Sequence, residues 1–144
     1  MQVDRRAFMN VLTGSLAAAS ALPAAGSPRI KFAVIGINHP HIYAQVEAVI
    51  RGGGELVWLY APEPDLSAEF LKRFPQARVA RTENEVLDDA SIQLVLSSII
   101  PNQRAPLGIR VMQHGKDYMS DKPGITTLDQ LARSEEHTSE LQSL

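Results

Sequence analysis

No cysteine occurs among the 144 residues. That excludes a disulfide framework, a cysteine metal site, a thiol nucleophile and a lipoprotein anchor. Charge of one sign is also missing. Fourteen Lys and Arg stand against sixteen Asp and Glu, a formal net charge of −2, so nothing points to a nucleic-acid partner. Aromatics make up only 6% of the chain, with a single tryptophan. Trp58 lies inside the run Glu55-Leu56-Val57-Trp58-Leu59-Tyr60 and reads as a core residue rather than a stacking platform. Long apolar runs are absent too. The N-terminal stretch from Val11 to Leu22 is diluted by Thr13, Gly14, Ser15 and Ser20, too short and too rich in alanine and serine to span ~30 Å of hydrocarbon. A stable membrane anchor is not expected. What remains is 44% apolar content in one ordinary domain's length, enough for a core.

The chain is organised around Lys31-Phe32-Ala33-Val34-Ile35-Gly36-Ile37-Asn38-His39-Pro40-His41-Ile42. Its near-continuous apolar run suits a strand buried on both faces of a parallel sheet. A helix follows, with Ile42, Val46, Val49 and Ile50 on one face, Asn38 as its expected N-cap and Pro40 in its first turn. Strand, tight turn and helix start together make either a seat for a dinucleotide pyrophosphate or a strand–helix junction with no ligand. Against a Gly-x-Gly-x-x-Gly fingerprint the match is partial: Gly36 fills the first position, Asn38 the second and His41 the third.

From Ile30 the pattern alternates strand and helix. Gly52-Gly53-Gly54 ends the first helix and 55–60 is the second strand. Asp65 is the expected cap of a helix with Leu66, Phe70, Leu71 and Phe74 on one face, stopped by Pro75. A short edge strand is read at 77–80. Thr82 and Glu85 form a capping-box pattern before Val86 and Leu87. Strands at 92–99 and 117–120 flank a helix running from about Arg104 to His114, with Leu107, Val111 and Met112 inward. The order predicts an α/β fold, a Rossmann-like doubly wound parallel sheet. Ligands of such sheets bind at the carboxyl ends of the strands. Those ends carry Gly36-Ile37-Asn38, Ala61-Pro62-Glu63, Ile100-Pro101-Asn102 and Asp121-Lys122-Pro123.

These residues resemble a family. Ala33-Val34-Ile35-Gly36, Pro101-Asn102, Gly115-Lys116 and Asp121-Lys122-Pro123 are similar to the first half of the Gfo/Idh/MocA oxidoreductases, the relatives of glucose–fructose oxidoreductase and inositol dehydrogenase. The resemblance covers about 28–132. It implies binding of NAD or NADP, with Gly36, Ile37, Asn38, His39, Glu63, Pro101, Asn102, Asp121 and Lys122 at the cofactor. It also implies hydride transfer to or from a sugar or polyol carbinol, with Lys122 as the catalytic proton-transfer residue. A buried or crowded lysine there would have a lowered pKa and trade protons near neutral pH. Three positions depart from the family pattern. Ala61 stands where an acidic residue usually grips the ribose, with Glu63 as the substitute, or with Arg51 or another cation favouring a 2′-phosphate. Asp121 replaces the usual glutamate before Lys122-Pro123, and Asn38 and His41 replace glycines. A non-catalytic or cofactor-free binding module on the same fold is the alternative function.

His39 and His41 also raise a metal reading. It is set aside because no carboxylate pair lies near them at ligand spacing, and no metal site is expected. His39 is expected to line the loop and His41 to pack at the helix start.

Two terminal segments stand apart. In 1–27, Asp4-Arg5-Arg6-Ala7-Phe8-Met9 resembles a twin-arginine export signal, with a cleavage region at Pro23-Ala24-Ala25-Gly26-Ser27. This implies the twin-arginine export machinery as a partner and a periplasmic or otherwise exported protein. In 133–144, Arg-Ser-Glu-Glu-His-Thr-Ser-Glu-Leu-Gln-Ser looks like the in-frame translation of a sequencing-library adapter. The expectation is that the natural chain continues past Ala132 into an α/β substrate domain. That domain would supply further catalytic residues and the interface of a homo-oligomer, and the fragment alone would be inactive.

Overall fold

The structure, a computed structural model, describes residues 30–142, and side chains as far as residue 136. The stretch 1–27, read from sequence as an export signal, lies outside the described residues. The elements are β1 (Ile30–Ile35), α1 (His41–Arg51), β2 (Gly54–Tyr60), α2 (Pro64–Arg73), β3 (Arg78–Val79) and α3 (Glu83–Leu87), then β4 (Leu94–Ser97), α4 (Pro101–Gln113), β5 (Asp117–Ser120) and α5 (Leu128–Gln142). All strand pairs are parallel, in the order β3-β2-β1-β4-β5. The expected doubly wound sheet is therefore present. Its strand order reverses beside β1, so the loops after β1 and β4 flank the switch point.

Alternation along β1 builds two cores. Phe32 and Val34 face one side, with Ile42 and Val46 of α1 and Phe70 of α2. Ala33 and Ile35 face the other, with Val86 and Leu87 of α3 and Leu107 and Val111 of α4. Successive side chains of a strand point to opposite faces, so a strand buried on both must be apolar throughout. Helix α4 approaches β5 closely through Gly108, where an added Cβ would lie 2.6 Å from the Tyr118 ring. Among the described residues no helix is long and apolar enough to cross a membrane.

Helix starts differ from expectation at three places. Pro40, not Asn38, is the N-cap of α1, and no side chain caps it. Glu63 precedes α2 with Pro64 at its first position, so Asp65 sits inside the first turn and Leu66 is exposed. Helix α4 begins at Pro101, three residues before Arg104. In the last two the proline fixes φ near its helical value and loses only an N–H that had no intrahelical partner. The Thr82 cap forms as expected, accepting from the Glu85 N–H at 3.2 Å. Helix α5 starts after Thr127, whose Oγ1 accepts from the Gln130 N–H, and it continues through 133–142 without a break at Ala132.

Candidate functional site

Gly36 sets the turn after β1. Its N–H donates to the Tyr60 carbonyl and its own carbonyl accepts from Ser98, so it is clasped between the ends of β2 and β4. Its φ is +75°, and a Cβ there would lie 2.7 Å from the Ile99 side chain. Both conditions demand glycine. The next residue, Ile37, is buried in the core, so it has only backbone to offer a ligand. Asn38 is exposed, and its amide Nδ2 donates to Glu63 Oε1 at 2.9 Å. Two residues assigned to the cofactor from sequence therefore meet, one from the β1 turn and one from the end of β2. The second carboxylate oxygen, Glu63 Oε2, is buried and has no hydrogen-bond partner. A buried carboxylate oxygen without a donor carries a desolvation cost that a ligand hydroxyl would remove. Arg51 cannot serve the same end of the sheet: it terminates α1, about 15 Å of helix away.

Across the switch point the side chains are denser. An open cleft of about 200 Å³ is lined by Asn38, His39, His41, Ser98, Pro101, Arg104, Asp121 and Lys122, among others. Ser98 holds the β1 turn in place: its Oγ donates to the His39 carbonyl at 2.8 Å and accepts from the His39 N–H at 3.3 Å. At the floor lies Asp121, 6% exposed, with His39 Nδ1 3.2 Å from Oδ2 and His41 Nδ1 3.1 Å from Oδ1. The Lys122 N–H donates to Oδ1 at 2.8 Å. Arg104 is 3% exposed, with Nη2 3.6 Å from Oδ2. Its Nε donates to the Ile99 carbonyl and its Nη1 to the Pro123 carbonyl, which ties the loop after β4 to the loop after β5. Burial pushes the Asp121 carboxyl up, but the His41 contact, the Lys122 amide and the Arg104 charge together hold it below its usual range.

Lys122 lies on the rim of this cleft and its side chain is exposed, neither buried nor crowded. The cause is local: Asp121 turns into the floor, which directs the next residue outward. Pro101 lines the cleft, whereas Asn102 is exposed and its carbonyl accepts from Gln130 Nε2. His41 does not pack at the helix start; it is 53% exposed and faces Asp121. Sequence reasoning missed Arg104, taken only as the start of a helix, and Ser98. It also set metal aside for want of a nearby carboxylate. Asp121, eighty residues away, stands between the two histidines.

No family model matches the chain, and no curated protein matches it. Solved structures do. An oxidoreductase so described from Erwinia carotovora atroseptica SCRI1043 is 37% identical, with a TM-score of 0.75, over 78% of this chain and 34% of that one. Biliverdin reductase from Synechocystis sp. PCC 6803, solved with biliverdin and NADP+, is 21% identical with a TM-score of 0.64, over 77% of this chain and 35% of that one. GenD2 from gentamicin A biosynthesis, solved with NAD, is 21% identical with a TM-score of 0.66, over 78% of this chain and 32% of that one. The chain thus spans about a third of the length of the structures it matches, and it shares its Rossmann-like fold with proteins solved bound to nicotinamide dinucleotides.

Proposed function

We propose that this chain is the NAD(P)-binding part of a Gfo/Idh/MocA-type oxidoreductase that transfers hydride to or from a CH–OH carbon of a sugar or polyol. One observation carries the reading: Asn38 and His39, in the turn after Gly36, line one cleft with Lys122 at the sheet's switch point. The likeness at 37% identity supports it.

The residues present fit a dinucleotide. Gly36 makes the tight turn at positive φ, the unpartnered Glu63 Oε2 suits a ribose hydroxyl, and its negative charge disfavours a 2′-phosphate, which favours NAD over NADP. When bound, the nicotinamide supplies or accepts the hydride. The chain's share is to orient and to handle the proton. Lys122 stands on the rim of the cleft, where its ammonium orients the reacting oxygen and donates or recovers the proton. Arg104 and Asp121 fix the loop that carries it. In the enzyme joined to its substrate domain, Lys122→Ala should lower turnover of a sugar or polyol panel about 10²–10⁴-fold while cofactor affinity changes little. Equal turnover would make Lys122 a bystander.

The reading includes export by the twin-arginine route and a homo-oligomeric full-length protein. Lysine at both Arg5 and Arg6 should leave the protein in the cytoplasm; undiminished export would remove that part. A second reading, a cofactor-free binding module, draws on Asn38, whose amide already takes one oxygen of Glu63.

A further inference from the structure

We infer that His39, His41 and Asp121 form a site for a divalent transition-metal ion of the zinc type at the floor of the cleft. Each residue offers one ligand atom, and these atoms all lie within 4.8 Å of one another. Two imidazoles and one carboxylate with no sulfur is a donor set that holds zinc and similar first-row ions rather than magnesium or calcium, which take oxygen ligands.

The spacing is that of neighbouring ligands around one ion. Zn–N and Zn–O bonds of about 2.0–2.2 Å at tetrahedral angles place neighbouring donors about 3.4 Å apart. The two Nδ1-to-carboxylate separations are 3.2 and 3.1 Å. The Asp121 carboxylate divides its oxygens, Oδ2 toward His39 and Oδ1 toward His41.

The surroundings fit a bound ion. Asp121 is held from outside the donor set by the Lys122 N–H and by Arg104, which is itself fixed by the Ile99 and Pro123 carbonyls. Such outer contacts orient ligating groups. The histidines are about half exposed toward the cleft, so an ion has an entry path and its remaining positions face the open space. With Arg104 and Lys122 on the same cleft, an anionic oxygen is the favoured additional ligand. The site requires no dinucleotide, so it stands or falls independently of the proposed function.

The test uses the untagged chain, titrated with Zn²⁺ by calorimetry and with Co²⁺ by visible absorption. About one ion per chain should bind, with a Co²⁺ ligand-field spectrum of nitrogen–oxygen coordination and no competition from excess Mg²⁺. His39→Ala and His41→Ala should each weaken binding at least about tenfold. Both side chains are half exposed, and circular dichroism should show the variants folded. His114→Ala, in the distant His114–Asp88 pair, should leave binding unchanged. Absence of binding, or equal binding by all three variants, would overturn the site. Nicotinamide fluorescence on the same samples, without metal, reports the dinucleotide reading separately.

Discussion

The two rims of the cleft are built on different principles. The β1–β2 rim is shaped by backbone: Gly36 at φ +75° between the ends of β2 and β4, steadied by neutral hydroxyl contacts from Ser98 and by the Asn38 amide on Glu63. The β4–β5 rim is shaped by charge: Asp121 and Arg104 are buried, and two histidines and a lysine stand around them. A rim made of backbone tolerates change poorly at one glycine and well elsewhere. A rim made of buried charges depends on every partner, because removing one leaves another without compensation.

The largest effect should come from the charged rim. Arg104→Ala leaves the Asp121 carboxylate short of a cation and the Ile99 and Pro123 carbonyls short of donors. Loss of about 3 kcal/mol in urea unfolding is expected. A loss below about 1 kcal/mol would show that the histidines and the Lys122 amide hold Asp121 unaided.

A smaller effect, about 2 kcal/mol, is expected for Gly36→Ala, which adds backbone strain to a collision with Ile99. Gly115→Ala sharpens the comparison. Its φ is +70°, yet nothing lies within 4 Å of an added Cβ, so it reports strain alone, about 1 kcal/mol. Equal thermal shifts for the two variants would mean that the close approach at Gly36 contributes nothing.

The same contrast explains what could be read from the sequence. The Gly36 turn was legible because strand, glycine and helix are contiguous, and each has a local signature. The parallel sheet followed from alternation of strand and helix, and Ala33-Val34-Ile35 marked a strand buried on both faces by being apolar throughout. Helix starts at 64 and 101 were missed because Asp65 was read as a cap and Arg104 as a first residue, although the prolines before them suit the first helical position. The charged rim was not legible. His41 and Asp121 meet across eighty residues, and no periodicity connects a histidine at one helix start to an aspartate after the last strand. Arg104 looked like an ordinary surface residue of α4, since burial of its guanidinium depends on two loop carbonyls and a carboxylate from other elements.

That the two rims together form one dinucleotide cleft is tested most directly by titrating the chain with NADH and with NADPH, following nicotinamide fluorescence. Saturable enhancement with NADH, weaker with NADPH, is expected. For Glu63→Gln, NADH binding should fall about fivefold, the value of one hydrogen bond to the ribose, and NADPH should lose its disadvantage. No fluorescence change with either dinucleotide at millimolar concentration would contradict the account and leave the cofactor-free binding module in its place.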